Sequence, residues 1–508
     1  MRPSTLRTRA SPATRAARLA AELRTRGLTP KLQLGAVLVV ATALRLWHVN
    51  SVGFNSDEAV YSGQGAAIAN EPELGDLFPV FRAHPLLVQT FLSLGWRLGL
   101  DTGFERLVSV GAGVATVYLV YELGRQLYGR RTGLIAALLL ALMPYHVVVS
   151  RQVLLDGPMT MLATLTLLLL VRFVLTGRPA WLYATGAAMG LTFLAKETSI
   201  VLLLAIYAFL ALTPELRVRL RDLAIATGVM ALVMAPFPLS IFVTGHSGTG
   251  ESYLTWQLFR RPNHDWLFYA SNVPQVIGPL VLAAVVAGLV VLRRPGSWPE
   301  RLLLCWIAVP VLFFELWPVK GFQYLLPIVA PVAVLAARPL VGRRMRPALA
   351  VVCVSLLVVT VGRVAATEQR TMLAGAGGVP AGREAGEWID SNVPRGATFM
   401  TIGPSMANLV QFYGRREAYG LSVSPNPLNR NPSYEPIPNP DEALRTGDIQ
   451  YVVWDTFSAS RSRGFSDRLL GYAERYDARA VHVETLPVST PGGHTARTAA
   501  IVVYEVRP

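Results

Sequence analysis

Charge is scarce in this chain. Only 16% of its 508 residues are Asp, Glu, Lys or Arg, against 52% hydrophobic, whereas charged residues make up about a quarter of an ordinary soluble protein. That shortage excludes a wholly soluble globular chain, and the mean hydropathy of +0.41 agrees. Cysteine is nearly absent. Cys305 and Cys353 both lie inside apolar runs, where a disulfide would have to join two membrane helices, so free buried thiols are expected. Acids number 32 against 47 bases, for a net charge of +15. The two signs nearly cancel after residue 365, so the excess belongs to the N-terminal tail and to short loops between apolar runs. Such loops orient membrane helices and meet anionic lipid heads, and they argue against a nucleic-acid partner. A GxxxxGKS phosphate loop, an HExxH zinc helix, a GxSxG nucleophile elbow and any internal repeat are all missing. Residues 1–31 are rich in Arg and Ala but lack the apolar core of a signal peptide. They are expected to form a basic, disordered, cytoplasmic tail.

What the chain has instead is a series of long apolar segments. A helix crossing the hydrocarbon core needs roughly 17 to 25 residues. About eleven segments qualify or nearly do, near 32–49, 106–123, 132–149, 158–175, 180–195, 198–212, 222–243, 272–292, 302–317, 321–337 and 347–364. The shorter ones are expected to be tilted, broken or packed inside the bundle. Pro85–Leu100 is apolar enough for a twelfth span. If it lies in the interface instead, the loops holding Arg125/Arg130/Arg131, Arg217/Arg219/Arg221, Arg293/Arg294 and Arg343/Arg344/Arg346 all fall inside, which satisfies the positive-inside rule. The expected fold is therefore an α-helical polytopic membrane domain over 32–364, with juxtamembrane helices at 57–70 and 85–100 in one external loop, 49–105. The N-terminus falls inside and the C-terminus outside.

After residue 365 the composition becomes that of a soluble domain. EAGEWIDSN reads as a helix, ATFMTIG as a strand, DIQYVVWD as a strand after a short helix, SDRLLGYAERY as a helix, and ARAVHVETL and AAIVVYEV as strands. The Pro/Asn-rich run SPNPLNRNPSYEPIPNP reads as a long loop. Residues 365–508 are thus expected to form a small extracytoplasmic α/β domain.

The predicted topology gathers polar residues on the external face: Asp57, Glu58, His84, Arg151, Asp156, Lys196, Glu197, the loop from Thr244 to Ala270, and Lys320. Adjacent acids at a lipid boundary, Asp57 and Glu58, read either as a solvated loop or as a functional pair. In SRQVLLDGP, Arg151 and Asp156 stand five apart and need the Gly157-Pro158 turn to converge; a snorkelling arginine and a helix N-cap explain them equally. Lys196 and Glu197 would serve as a local ion pair, and Lys320 as an interfacial anchor. Three or four cations beside carboxylates on one face also suit a departing phosphate. His84-Pro85 opens the second juxtamembrane helix, where proline is favoured for backbone reasons alone.

The ordered series DEAVY, RAHPLL, LYGRRTGLIAALLLALMPYHVVVSRQVLLDGP, GLTFLAKETS and KGFQYLLPIVAP, spread over residues 32–340, resembles the C-type integral membrane glycosyltransferases. The similarity points to the branch of the protein O-mannosyltransferases and the aminoarabinose transferases. The resemblance implies an inverting enzyme that moves a sugar from a polyprenyl-phosphate donor to an acceptor hydroxyl on protein, lipid or polysaccharide, at the external face of the cell membrane. It implies Asp57 as general base, Glu58 as its support, and Arg151 with Asp156 as the RxxxxD pair for donor phosphate and acceptor side. His84 matches the histidine of an HPPL motif whose second proline is Leu86 here; Lys196 and Lys320 match phosphate-holding basic residues, and Tyr324 opens the adjoining YLLP run of the substrate site. No cofactor or metal is expected, since basic residues supply the positive charge a divalent ion would bring. The alternative is a transporter or flippase of lipid-linked glycans, which would more often show repeats and polar groups at mid-membrane.

Overall fold

The computed structural model describes residues 30–80, 84–100, 102–243, 256–257, 262–291, 297–365, 378–489 and 495–507. The tail to residue 29, most of the loop from 244 to 261, and Arg293/Arg294 lie outside these residues.

The chain enters through α1 (Pro30–Leu46) and continues into three short helices, α2 (Ser56–Ile68), α3 (Pro72–Leu77) and α4 (Leu87–Arg97). At 11 residues, α4 is about 16 Å long, half the thickness of a hydrocarbon core. The long α5 (Thr102–Tyr128) follows, then α6 (Arg130–Leu142) and α7 (Pro144–Val149). Proline at position 144 cannot donate a backbone hydrogen bond, which breaks the run expected over 132–149 into two pieces. Next come α8 (Asp156–Thr176), α9 (Pro179–Ala195), a 3-10 turn Glu197–Ile200 leading into α10 (Val201–Ala211), and the pair α11 (Leu220–Met234) and α12 (Pro236–Val243). The helical part closes with α13 (Phe268–Ile277), α14 (Pro279–Val291), α15 (Trp298–Leu316), a 3-10 turn Phe322–Ile328, α16 (Val329–Ala337) and α17 (Arg346–Val364).

By length and composition, three described helices could cross a membrane, Gly103–Tyr128, Asp156–Thr176 and Arg343–Val364, or up to five if the bent pairs α11–α12 (42°) and α13–α14 (92°) each count as one span. The other apolar segments are short or interrupted. Their breaks fall at Met143-Pro144, Lys196, Ala235-Pro236, Gly278-Pro279 and Pro327, and such irregular backbone at membrane depth is tolerated where protein buries it.

Two devices hold the helices together. In α9, Gly186 and Gly190 stand four apart and face α11: a Cβ on Gly186 would lie 2.2 Å from the Ala226 carbonyl oxygen, and one on Gly190 2.9 Å from that of Met230. Only hydrogen fits in that gap, so backbone meets backbone, the small-residue packing that membranes favour. In α1, fully buried Arg45 ties the helix to α7, its Nε donating to Ser150 Oγ at 2.9 Å and its Nη2 to His146 Nδ1 at 2.7 Å. Arginine only donates, so His146 must carry its proton on Nε2.

Residues 378–507 hold a five-stranded sheet in the order β2-β1-β3-β5-β4. It is built from α18 (Gly382–Asn392), β1 (Thr398–Thr401), α19 (Pro404–Gly414), β2 (Glu417–Gly420), α20 (Pro440–Thr446), β3 (Tyr451–Asp455), α21 (Thr456–Arg461), α22 (Arg463–Arg475), β4 (Arg479–Ser489) and β5 (Thr495–Glu505). Strands β2, β1 and β3 are parallel; β5 and β4 run antiparallel. Alternation along the strands sorts the core into two faces. Phe399, Tyr451 and Val453 join Ala385, Ile389, Leu409 and Phe412 of α18 and α19 in a core continuous with that of the membrane helices. Met400, Ile402 and Val452 pack instead with Leu444 and Leu469 of α20 and α22.

Asp455, fully buried at the end of β3, caps α21 by accepting from the Ser458 backbone N–H at 2.7 Å, while its second oxygen has no hydrogen-bond partner. Burial pushes its carboxyl from 3.8 up to about 6, against the pull of the Ser458 hydrogen bonds. A raised acid pKa means the folded chain binds more protons, so this group's contribution is most favourable below about pH 4 and is lost as pH rises through 6. Asparagine keeps the capping oxygen without the charge. Asp455→Asn should therefore stabilise the β3–α21 region by about 1–3 kcal/mol at pH 7.5, and by less than about 1 kcal/mol at pH 4. Hydrogen exchange of the Tyr451–Phe457 amides at the two pH values checks this.

Candidate active site

Asp57 and Glu58 lie in the first turn of α2, and the structure separates their roles. Asn55 caps the helix in a capping box: its side chain accepts from the Glu58 N–H at 3.0 Å, and Glu58 Oε2 accepts from the Asn55 N–H at 3.0 Å. Glu58 is buried. It also accepts from Arg106 Nε at 3.2 Å and from the Val153 N–H at 2.9 Å. Its carboxylate thus ties α2 to α5 and to the loop before α8. Asp57, next to it, is half-buried, on the first turn of a helix whose dipole favours an anion.

Arg106 is a residue the sequence reading passed over. Besides Glu58, it donates to the carbonyls of Val49, Val52 and Gly53, at 2.5, 2.8 and 3.1 Å, and its guanidinium lies 4.9 Å from the Phe54 ring centroid. A signal existed: an arginine stood at the first residue of an expected span, 106–123, where an uncompensated charge is costly.

Arg151 and Asp156 do not converge on each other. Arg151 donates to the carbonyls of Arg45 and Trp47, at 3.2 and 2.6 Å, closing off the C-terminal end of α1. Burial and the neighbouring Arg106 push its guanidinium down to about 10, with Glu58 opposing. Asp156, at the start of α8, instead takes the Lys196 ammonium on both oxygens, at 2.9 and 2.8 Å. This is the pair the five-residue spacing missed, because the partner comes from the break between α9 and α10. Lys196 consequently does not pair with Glu197. Glu197 accepts from His84 Nδ1 at 2.8 Å, and the edge of the Tyr61 ring meets His84 with centroids 6.0 Å apart. The Lys196 ammonium lies 5.0 Å from the Tyr324 ring centroid. A Cβ on Gly321 would fall 2.8 Å from the Tyr324 ring, so glycine there lets the ring lie close against the chain.

His84, Asp156, Lys196, Glu197 and Tyr324 therefore form one cluster, reached from α2 through Tyr61. Lys320 keeps other company. Its ammonium donates to the Phe314 and Glu315 carbonyls at 3.3 and 2.6 Å, capping α15, and lies 5.3 Å from the rings of both Trp266 and Tyr269. No group of three or more His, Cys, Asp or Glu side chains is placed to hold a metal ion among the described residues.

Residues 83–242 match the family described as dolichyl-phosphate-mannose-protein mannosyltransferase, a stretch that includes His84, Arg151, Asp156, Lys196 and Glu197. The chain is 28% identical over 261 residues to the undecaprenyl phosphate-alpha-4-amino-4-deoxy-L-arabinose arabinosyl transferase of Pectobacterium carotovorum subsp. carotovorum; the match takes in 48% of this chain and 46% of that protein, under half its length. Among solved structures it is similar to ArnT of Cupriavidus metallidurans bound to undecaprenyl phosphate, with a TM-score of 0.69 and 15% identity over 93% of this chain and 97% of that one. It is also similar to the archaeal oligosaccharyltransferase AglB of Archaeoglobus fulgidus in complex with an inhibitory peptide and a dolichol-phosphate, with a TM-score of 0.54 and 14% identity over 93% of this chain and 74% of that one. The chain thus has the fold of these integral membrane glycosyltransferases. The resemblance read in its motifs, to the C-type enzymes of the protein O-mannosyltransferase and aminoarabinose transferase branch, agrees with these similarities.

The Asp156–Lys196 pair is almost fully buried, with side chains 1% and 4% exposed. Removing one partner of such a pair leaves a lone buried charge, at a cost of about 3–5 kcal/mol. Lys196→Ala should lower stability by that amount, whereas Lys196→Met combined with Asp156→Leu should unfold close to the unmodified chain. Thermal unfolding in detergent separates the two outcomes.

Proposed function

We propose that this chain is an inverting glycosyltransferase, moving a sugar from a polyprenyl-phosphate donor to an acceptor hydroxyl on the extracytoplasmic side of the cell membrane. The observation that carries this reading is the cluster of His84, Asp156, Lys196, Glu197 and Tyr324 at broken helix ends, joined through Tyr61 to the helix that presents Asp57. In this reading the chain crosses the membrane about eleven times, with its N-terminus cytoplasmic and residues 365–508 outside.

Chemically, an acceptor hydroxyl is a weak nucleophile until a base takes its proton. Asp57 takes that proton as the acceptor oxygen forms its bond to the anomeric carbon. The bond from that carbon to the phosphate oxygen breaks on the opposite face, its electron pair leaves with the lipid phosphate, and the single displacement inverts the centre. Lys196 meets the developing charge. An ammonium has three donors, and Asp156 takes two, leaving one for the phosphate while Asp156 holds the group in place. His84, its Nδ1 donating to Glu197, lines the same cluster. Glu58, Arg106 and Arg151 act by holding the loops, Tyr324 lies against the Lys196 ammonium, and Lys320 holds the end of α15 that leads into the Tyr324 turn. The transferases among the relatives lend no support to a transporter. The acceptor is a protein, lipid or polysaccharide hydroxyl.

Replacing the base should abolish turnover while donor capture persists. Asp57→Asn is expected to lower the transfer rate by about 10²- to 10⁴-fold with retention of labelled donor within twofold. Purified chain in lipid, offered radiolabelled undecaprenyl-phosphate sugars, gives both quantities. Labelled donor that crosses the bilayer unchanged would replace the transferase with a transporter.

A further inference from the structure

The turn that carries Asp57 is held from two sides, and the second side belongs to the sheet domain. Helix α19 lies against α2. Its Tyr413 hydroxyl accepts from the Phe54 N–H at 2.8 Å, one residue before the Asn55 cap. The Phe412 ring packs against Phe54 and Phe78, with centroids 5.2 and 6.2 Å away. One turn earlier, Asn408 is buried, and its Nδ2 donates to Ser56 Oγ at 2.8 Å and to the Tyr434 hydroxyl at 3.2 Å.

Attachment of the domain does not call for that amide. Apolar rings and peripheral contacts, such as Arg395 to Glu73 at 2.6 Å and Arg383 to the Asn50 carbonyl at 3.0 Å, already join the two parts. Burying a primary amide costs free energy unless its hydrogen bonds are made. Asn408 directs both N–H groups to partners in different segments. Ser56 adjoins Asp57, and Tyr434 sits in the Pro/Asn-rich stretch between β2 and α20, where the regular structure is one short turn, Pro427–Asn429. Asn408 thus links that stretch to the residue beside Asp57.

We propose that Asn408 is a positioning residue for sugar transfer, fixing the Asp57 turn from the sheet domain and coupling it to the Tyr434 stretch. The proposal rests on Asp57 acting as the base. Loss of the amide lets the carboxylate wander, which slows transfer without weakening donor capture, since small misplacements of a reacting group cost rate steeply.

The test uses the full chain in lipid and compares Asn408→Leu, which keeps the branched shape but has no donors, with Ser56→Ala, the double variant, Tyr434→Phe and Asp57→Asn. Probes are undecaprenyl phosphate bearing radiolabelled mannose or 4-amino-4-deoxy-L-arabinose, with a detergent extract of cell envelope as acceptor. Expected are a fall in kcat of about tenfold per folded molecule in Asn408→Leu, an unchanged donor KM and a shifted pH profile. The double variant should be no slower than Asn408→Leu alone, and Tyr434→Phe, which removes one of the two Asn408 partners, should slow transfer less than Asn408→Leu. Hydrogen exchange needs no substrate: the Ser56–Tyr61 amides should exchange faster in Asn408→Leu. A native kcat in Asn408→Leu beside an inactive Asp57→Asn overturns the proposal, as do unchanged exchange in α2 or a loss of rate matched by loss of folded protein. A native rate in Asp57→Asn overturns the base assignment instead.

Discussion

The buried Glu58 carboxylate is the interaction on which the arrangement depends. It closes the capping box of α2, receives Arg106 from α5 and accepts from the backbone at Val153. A buried carboxylate is stable only if its oxygens are fully engaged, so all three segments must assemble for any one of them to be satisfied. Arg106 extends the constraint to three carbonyls between Val49 and Gly53. Neighbouring Asp57 owes its fixed position to this assembly. Of two adjacent acids, one is committed to structure so that the other is held where it stands.

The same division appears around Lys196. Its charge could not enter the helical core alone, and Asp156 makes it tolerable. Both come from places where helices break, so that side chains from α8 and from the α9–α10 junction meet without a long loop between them. His84 and Glu197 repeat the pattern at the rim, more exposed at 20% and 18%.

Reading the chain alone located the material of the site but not its pairings. Asp57, His84, Asp156 and Lys196 stood out because ionisable groups at the ends of apolar runs are unusual, and Tyr324 entered only through the YLLP run of the family resemblance. The pairings of Asp156 with Lys196 and of His84 with Glu197 span 40 and 113 residues, and no local spacing encodes such contacts. Arg151 was drawn to Asp156 by proximity in sequence, whereas its donors go to the end of α1. In the last third, the helices and strands read in EAGEWIDSN, DIQYVVWD, SDRLLGYAERY and AAIVVYEV overlap α18, β3, α22 and β5, because amphipathic period and β-branched runs mark them. Helix α19 and strand β2 went unread: SMANLVQFYG is apolar on nearly every side, being covered both by the sheet and by α2, so it shows no clean alternation. That missing amphipathicity was itself a sign that something packs on its second face.

The shared core of Phe399, Leu409, Phe412 and Phe54 has a consequence for how this protein divides. The composition boundary near residue 365 separates apolar from soluble sequence, yet it does not separate two bodies. Cutting there would leave Phe54 and Phe78 facing water on one piece and Leu409 and Phe412 on the other, each an invitation to aggregate. Residues 54–78 belong to both parts, to the sheet through Phe54 and Phe78 and to α5 and the loop before α8 through buried Glu58. Any exchange of the sheet domain between relatives would have to keep residues 49–80 matched to it on one side and to Arg106 on the other.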